Sequence, residues 1–215
     1  MNAKLPLLWI ALGGVVAAGA AAPSAEDPAA RAARVHREAI VVDTHEDVPE
    51  ALEEKWGAYA DWHDLAEAGA TKHFDIPRAR RGGLTAPVFA VYVPARFAET
   101  GGSARYALEL SDMVDGIVAK HPADFTAAAS VEEIRRAKKD GRIAVLKGIE
   151  GGHAIEDSMG ALRSFYRLGV RYMTLTHTNT NHWADSVGNF FAPDYDPAAH
   201  RVHHGLNDFG RAVVR

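Results

Sequence analysis

The segment Ile40-Val41-Val42-Asp43-Thr44-His45-Glu46-Asp47 is a short apolar run that ends in a His-x-Asp pair. Residues i and i+2 of a strand point to the same face, so a strand that ends here directs the His45 imidazole and the Asp47 carboxylate to a common point. An imidazole nitrogen and a carboxylate oxygen are donors that Zn²⁺ accepts. The pair alone does not distinguish a metal site from a polar strand end that faces water.

Four apolar runs of strand length alternate with helical patterns along the chain. The runs cover residues 39–43, 86–93, 143–149 and 170–176. Between the second and third runs, apolar residues recur every three or four positions from Tyr106 to Ile117, which predicts an amphipathic helix. Residues 130–133 form a capping box, which predicts the start of the next helix. Strands that alternate with helices predict parallel βα units, and runs without strict polar alternation predict strands covered on both faces.

Two α/β architectures fit this alternation, an open doubly wound sheet and a (β/α)8 TIM barrel. No Gly-x-Gly-x-x-Gly motif follows the first predicted strand, which disfavours a dinucleotide-binding sheet. Polar residues suited to catalysis instead cluster at the carboxyl ends of several strands, where barrel enzymes keep their active sites. We therefore predict a TIM-barrel metallohydrolase fold, of which residues 39–215 supply roughly the first four βα units.

The third predicted strand leads into Lys147-Gly148-Ile149-Glu150-Gly151-Gly152-His153. Glu150 ends the strand, and the two glycines after it allow a sharp turn and a close approach of the backbone to a ligand. The two oxygens of a glutamate can bridge two metal ions that share a hydroxide nucleophile. The alternative interpretation is a glutamate that caps the following turn.

A third polar strand end carries His177, which follows the run 170–176. An imidazole at the same end of the predicted barrel can donate a hydrogen bond to a substrate carbonyl or to a developing oxyanion. His153 and His182 are weaker candidates, since both lie past the strand ends in predicted loops. A loose cluster of histidines near residue 200 is explained by surface histidines or by an adventitious metal site at least as well as by a functional role. Its members are His200, His203 and His204.

The 215-residue chain carries a formal net charge of −4 and no cysteine. A mildly acidic chain without a long basic cluster lacks the electrostatic footprint of a nucleic-acid-binding protein. Without cysteine, neither a disulfide nor a thiolate ligand is available. Any metal must therefore be held by His, Asp and Glu.

Residues 1–22 have the pattern of a secretory signal peptide, with a basic start, an apolar stretch and small residues at a cleavage site. A retained anchor is the alternative, but the strongly apolar residues 5–16 are fewer than the ~20 that a spanning helix needs. We therefore expect an exported protein, periplasmic or extracellular, with no membrane span after signal cleavage. Residues 23–38 are interpreted as a linker and a lead-in helix.

Together these segments resemble the membrane dipeptidase family, the zinc dipeptidases typified by renal dipeptidase. The resemblance extends from about residue 40 to residue 215. It rests on Asp43-Thr44-His45-Glu46-Asp47, Asp75-Ile76-Pro77, residues 148–153, residues 168–177, Trp183-Ala184-Asp185 and residues 205–214. The order and spacing of the Glu-Gly-Gly-His and Leu-Thr-His segments are specific to that family.

The resemblance implies hydrolysis of dipeptides by a hydroxide that bridges two zinc ions. By position, His45 and Asp47 resemble ligands of the first zinc, and Glu150 resembles the carboxylate that bridges both. His177 resembles the histidine that binds the substrate and polarises the scissile carbonyl. Glu150 and His177 are thus the expected catalytic residues. Family members often form dimers, so a homodimer is expected for the full-length protein.

The chain departs from the family pattern in its length. The family's remaining zinc-binding histidines, on its fifth and sixth strands, have no counterpart up to Arg215. Because a barrel enzyme takes ~250 residues, we interpret the chain as the amino-terminal half of a dipeptidase, inactive on its own. In this interpretation Phe209 and Val213, on the last helix, face a missing partner.

Two rival hypotheses remain open. One is a non-catalytic remnant or interaction module on the same scaffold, which dinuclear zinc binding would distinguish from an enzyme. The other is a different metallohydrolase barrel, such as an amidohydrolase. Such barrels typically carry His-x-His at the first strand, where this chain has His45 and Asp47.

Overall fold

A computed structural model describes residues 26–56, 65–69 and 73–215 of the chain. The predicted signal peptide, residues 1–22, lies outside the described residues. The helices are α1 (Pro28–Glu38), α2 (Val48–Trp56), α3 (Ile76–Arg81), α4 (Arg96–Thr100), α5 (Ser103–Lys120), α6 (Val131–Lys139), α7 (Met159–Arg167) and α8 (Asp208–Val214). The strands are β1 (Val42–Glu46), β2 (Ala86–Tyr92), β3 (Phe125–Ala127), β4 (Ile143–Glu150) and β5 (Val170–Met173). Short 3₁₀ helices cover Gly152–Ile155 and Pro197–His200. Within these ranges, none of the helices is both long and apolar enough to cross a membrane.

The five strands form one sheet in which every strand pairing is parallel. β1 pairs with β2, and β2 pairs with one edge of β4. The opposite edge of β4 is shared, because β3 pairs with its residues 143–145 and β5 with its residues 147–149. The carboxyl ends of β1, β2, β4 and β5 therefore lie at the same end of the sheet, as the sequence predicts.

The four predicted strands are all present, although their ends differ from the prediction. β1 covers Val42–Glu46 instead of residues 39–43, and β5 ends at Met173 instead of residue 176. β3 is not predicted by the sequence pattern. Its three residues are too few to give either an apolar run or a regular alternation.

Helix α5 packs the predicted apolar stripe against the sheet. The buried members of the stripe are Tyr106, Leu110, Met113, Val114 and Ile117. They share a core cluster with Phe89 of β2 and Phe125 of β3. The Phe89 ring meets the rings of Phe74 and Phe125 edge-on, at centroid distances of 5.4 and 6.3 Å. This apolar layer stabilises the middle of the sheet, because each Å² of buried apolar surface contributes ~25 cal/mol to the free energy of folding.

β1 is a more exposed strand than its neighbours, and its register is irregular. Val42 is 48% exposed, whereas Phe89 on the adjacent β2 is fully buried. Asp43 pairs with Pro87 but Glu46 pairs with Phe89, so β1 holds one extra residue in this interval. Such a bulge bends a strand and redirects its side chains. It lies where the predicted metal ligand His45 is found.

Helix α6 begins at the predicted capping box. Ser130 Oγ accepts a hydrogen bond from the Glu133 backbone N–H at 3.2 Å, and a Glu133 carboxylate oxygen accepts one from Ala129 N–H at 2.7 Å. The Glu133 side chain thus satisfies a backbone donor next to the N-cap residue Ser130, which stabilises the start of the helix. The hydrogen bonds that the Glu133 carboxylate accepts, first from Ala129 N–H and next from the Ser130 hydroxyl, lower the pKa of this carboxyl.

The carboxyl-terminal helix α8 packs in part against the core of the described residues. Phe209 and Val213 are partly buried against the core cluster, and the Phe209 ring meets that of Trp183 at a centroid distance of 6.2 Å. Both side chains therefore pack in part within the described residues, and a further partner for their remaining surface stays a prediction. The helix is capped by Asn207, whose side chain accepts a hydrogen bond from Gly210 N–H at 3.0 Å.

Candidate metal centre

The three predicted metal ligands meet where β1 and β4 end. His45 lies in β1, Asp47 follows that strand directly, and Glu150 is the last residue of β4. His45 Nε2 lies 3.1 Å from Asp47 Oδ1 and 3.2 Å from Glu150 Oε2. One potential donor atom from each residue falls within 4.8 Å of the other two. The structure therefore brings these three side chains to one point.

The donor chemistry of this group fits a divalent metal ion. Zn²⁺ binds imidazole nitrogen and carboxylate oxygen at ~2.0–2.2 Å, which places neighbouring donors of a tetrahedral site on the order of 3.3 Å apart. The contacts of His45 Nε2 with the two carboxylates, at 3.1 and 3.2 Å, are close to that spacing. Nitrogen and oxygen donors of this kind suit zinc better than they suit Ca²⁺ or Mg²⁺, which take oxygen ligands.

The His45 ring is held from its other side by Tyr172. His45 Nδ1 lies 2.8 Å from the Tyr172 hydroxyl oxygen, and the two rings are nearly parallel at a centroid distance of 6.4 Å. The His45 backbone N–H also donates to Asp43 Oδ1 at 3.0 Å. Burial raises the pKa of Tyr172 to about 12, so the phenol is neutral at physiological pH. Sequence reasoning did not identify this contact.

Glu150 is positioned by its strand and by the two glycines that follow. Gly151 has a φ of +107°, a conformation that L side chains rarely adopt. A Cβ on Gly152 would lie 2.6 Å from Cζ2 of Trp183 and would also clash with the Leu175 carbonyl oxygen. The Gly151 N–H donates to Thr174 Oγ1 at 2.7 Å, which ties this turn to the residues after β5. The predicted sharp turn is therefore present, and it requires both glycines.

His177 lies beside Glu150, although not at a strand end. β5 ends at Met173, so His177 belongs to the loop that follows. Its Nε2 is 3.4 Å from Glu150 Oε1, while the other carboxylate oxygen of Glu150 faces His45. The Tyr92 ring meets the His177 ring edge-on at 4.9 Å between centroids. The two oxygens of Glu150 thus point to two different groups.

The remaining predicted histidines lie outside this group and have other surroundings. His182 Nδ1 contacts Asp157 Oδ2 at 2.6 Å, and His203 Nε2 contacts the Asn181 carbonyl oxygen at 2.9 Å. The His200 ring stacks on Tyr195 at a centroid distance of 6.1 Å. His153 is buried, and burial lowers its pKa. In the described ranges, none of these rings joins His45, Asp47 and Glu150.

Several acidic groups surround the centre and give it a negative character. Burial, and next the charge of Asp43, raise the pKa of Glu46 to about 7. Burial is also the largest cause of the raised pKa of Tyr92, followed by the charges of Glu50 and Glu150. The sequence does not predict the raised pKa of Glu46, because a glutamate inside a His-x-Asp pair has no distinctive pattern. The excess of carboxylates favours a bound cation.

Comparison with known proteins places this architecture in a family. Residues 29–215 match the family model described as Membrane dipeptidase (Peptidase family M19). Dipeptidase 3 of Mus musculus is 32% identical over 179 residues, which cover 83% of this chain and 34% of that protein. Dipeptidase 3 of Macaca fascicularis is 31% identical over 188 residues, covering 87% of this chain and 36% of that protein. The chain therefore spans about a third of the length of these relatives.

A solved structure confirms the fold. The probable dipeptidase PvdM from Pseudomonas aeruginosa matches with a TM-score of 0.67 and 21% identity, over 86% of this chain and 45% of PvdM. The predicted TIM-barrel-like architecture is thus confirmed, and the described residues form part of it.

Proposed function

The chain belongs to the membrane dipeptidase family, and from this premise we propose that it carries part of the active site of a zinc-dependent dipeptidase. The observation that most directly supports the proposal is the convergence of His45, Asp47 and Glu150 at the ends of β1 and β4. Nitrogen and oxygen donors suited to zinc are what a metal-assisted hydrolysis of a peptide bond needs. The proposed substrate is therefore a dipeptide.

In this proposal His45 and Asp47 hold the first ion and Glu150 bridges to a second. Zinc bound there would supply Lewis-acid polarisation of the scissile carbonyl and would lower the pKa of a water molecule for attack on it. Glu150 is suited to the bridging position because its two oxygens face His45 and His177, at 3.2 and 3.4 Å from their Nε2 atoms. Three donors do not fill two tetrahedral zinc sites. We place the remaining donors in the part of the relatives' length that this chain does not span.

His177 is proposed to bind the substrate. Its side chain is 31% exposed, so the ring can meet a ligand while the Tyr92 ring fixes its orientation. A proton on Nε2 can be donated to the carbonyl oxygen of the scissile bond, and that hydrogen bond strengthens as negative charge develops on the oxygen.

The proposal also covers export and assembly. Residues 1–22 are proposed to be a signal peptide, residues 23–38 a linker and lead-in helix, and residues 39–215 the amino-terminal part of the barrel domain. Cleavage would place the protein in the periplasm or outside the cell. A homodimer of the full-length protein is part of the same proposal. The amino-terminal sequence and the molar mass of the secreted protein test these points.

Substitution of Glu150 tests the proposed reaction. Glu150→Gln keeps the shape of the side chain but removes the charge that holds the ions. We expect the whole protein that contains this sequence to hydrolyse dipeptides, and Glu150→Gln to lose zinc and to hydrolyse dipeptides below the detection limit. Zinc content by mass spectrometry and release of free amino acids measure the two effects.

Glu132→Gln is the matched control, because Glu132 is exposed on α6 and should leave both readings unchanged. Near-normal turnover by Glu150→Gln would contradict the assignment. Zinc binding without hydrolysis of any dipeptide would instead favour the non-catalytic hypothesis.

A further inference from the structure

Tyr172 and His45 form a contact between strands that are not adjacent in the sheet. Tyr172 lies in β5 and His45 in β1, and the sheet order places β2 and β4 between these strands. Their 2.8 Å contact between the phenol oxygen and Nδ1 joins residues 127 positions apart in the chain. The phenol therefore reaches across β4 and β2 to the predicted metal ligand.

Small residues on the two middle strands leave room for this crossing. Gly148 of β4 is the register partner of Tyr172, and a Cβ on Gly148 would lie 2.5–2.6 Å from two carbon atoms of the phenol ring. On the other side of Gly148, its partner in β2 is Ala90. A glycine inside a strand often marks such a close approach. The Tyr172 ring thus occupies space over β4 that is available only because residue 148 is a glycine.

Two bulges direct these side chains toward each other. In β5, Val170 pairs with Lys147 but Tyr172 pairs with Gly148, so Arg171 is an extra residue in that interval. In β1 the extra residue lies between Asp43 and Glu46. Because a slip of one residue moves a strand's side chains to the opposite face, each bulge changes which residue points inward. The irregularities therefore occur beside the two partners of this one contact.

We propose that Tyr172 is a positioning residue for His45, and that Gly148 provides the space it needs. The Tyr172 oxygen accepts a hydrogen bond from Nδ1–H, which leaves the Nε2 lone pair facing Asp47 Oδ1 and Glu150 Oε2. A hydrogen bond from the ring nitrogen that does not bind the metal fixes the tautomer and the ring orientation of a metal-binding histidine. This inference rests on the proposed function, since it assigns Tyr172 a role at the same metal site.

Zinc affinity of Tyr172→Phe tests the inference. This substitution removes the hydroxyl group but leaves the ring over Gly148. With Zn²⁺ as the probe and a chromophoric chelator as the competitor, we expect affinity to fall roughly 10- to 100-fold in the whole protein. Tyr166→Phe is the matched control, because Tyr166 is exposed on α7 and its ring packs on Arg171. The control should bind zinc like the wild type.

A second variant tests the space under the ring. Gly148→Ala keeps the hydroxyl group but displaces the phenol, so we expect it to weaken zinc binding in the same direction as Tyr172→Phe. Unchanged affinity of Tyr172→Phe, with the wild type binding zinc, would overturn this inference alone. A wild-type protein that binds no zinc would instead overturn the proposed function.

The tautomer of the His45 ring tests the inference in a protein that keeps Tyr172. Nitrogen-15 spectra of the zinc-loaded protein, with His45→Gln used for assignment, should show a proton on Nδ1 and the metal on Nε2. A proton on Nε2 would overturn the inference. This measurement decides the question even where Tyr172→Phe does not fold.

Discussion

The middle of the sheet and its β1 edge bring ligands to the same point by different means. The sheet centre, defined here as β2 and β4, is largely buried, and β4 is paired along both edges. β1 is mostly exposed and pairs with β2 across an irregular register. Glu150 is therefore placed by backbone pairing, whereas His45 is placed by a side-chain contact with Tyr172. Of the three predicted ligands, Glu150 thus depends on the paired sheet, and His45 depends in our proposal on a single hydroxyl group.

The largest expected effect is a difference in the free energy of unfolding between substitutions in the sheet centre and in β1. Phe89→Ala removes a fully buried ring from the sheet centre and should lower the free energy of unfolding by about 3–5 kcal/mol. Val42→Ala, at the half-exposed edge, should cost ~0.5 kcal/mol or less. Urea unfolding of the zinc-free protein measures both. Equal losses would show that β1 is as well anchored as β2.

A smaller effect is expected for the turn that follows β4. Gly152→Ala places a methyl group against the Trp183 ring and the Leu175 carbonyl, and should lower the free energy of unfolding by about 1–3 kcal/mol. Gly160→Ala is the control, since its new Cβ meets Ser158 Oγ at 3.4 Å, an ordinary contact in α7. Thermal unfolding compares the two. A Gly152→Ala protein as stable as Gly160→Ala would mean that the turn can open without cost.

The smallest expected effect is a pH dependence that originates near the sheet centre. Burial lowers the pKa of His153 below its ordinary value of 6.5. The unfolded chain then binds a proton that the folded chain resists, so the folded state loses stability as pH falls below about 6.5. His153→Gln removes this contribution. We expect its melting temperature to fall less than that of the wild type between pH 7.5 and pH 5.5.

His36→Gln provides the control for this measurement. His36 is exposed on α1, where its Nε2 contacts the Gly82 carbonyl oxygen at 2.7 Å. The pH dependence of His36→Gln is measured beside that of His153→Gln, as that of a protein that lacks an exposed histidine. If His153→Gln and the wild type lose the same melting temperature on acidification, burial of His153 does not affect stability.

The sequence predicts parallel strands and the meeting of His45, Asp47 and Glu150 because both follow from local patterns. Apolar runs mark the strands, and the polar residues just after them must lie at one end of a parallel sheet. The ends of the strands are less predictable, which is why β5 stops before His177. Packing and hydrogen bonding with neighbours decide where a strand ends, and these are not visible in the run itself.

The contact between Tyr172 and His45 could not be predicted from a local pattern. It depends on two bulges and on the pairing of strands far apart in the sequence. One signal was nevertheless present, because Gly148 interrupts an apolar strand where a larger residue would be expected. The glycine marks a close approach but does not identify the residue that makes it.

The shared edge of β4 has a consequence for the order in which the molecule opens. β2, β3 and β5 all pair with β4. The backbone amides of β4 should therefore exchange their hydrogens with solvent only when most of the sheet separates. Among the described strands β1 pairs with β2 alone, so its detachment is a smaller opening of lower free energy. Hydrogen exchange should therefore be fast around His45 and slow in β4. A protein caught in this partly open state would keep the position of Glu150 while it lost that of His45, and would release its metal long before it unfolds.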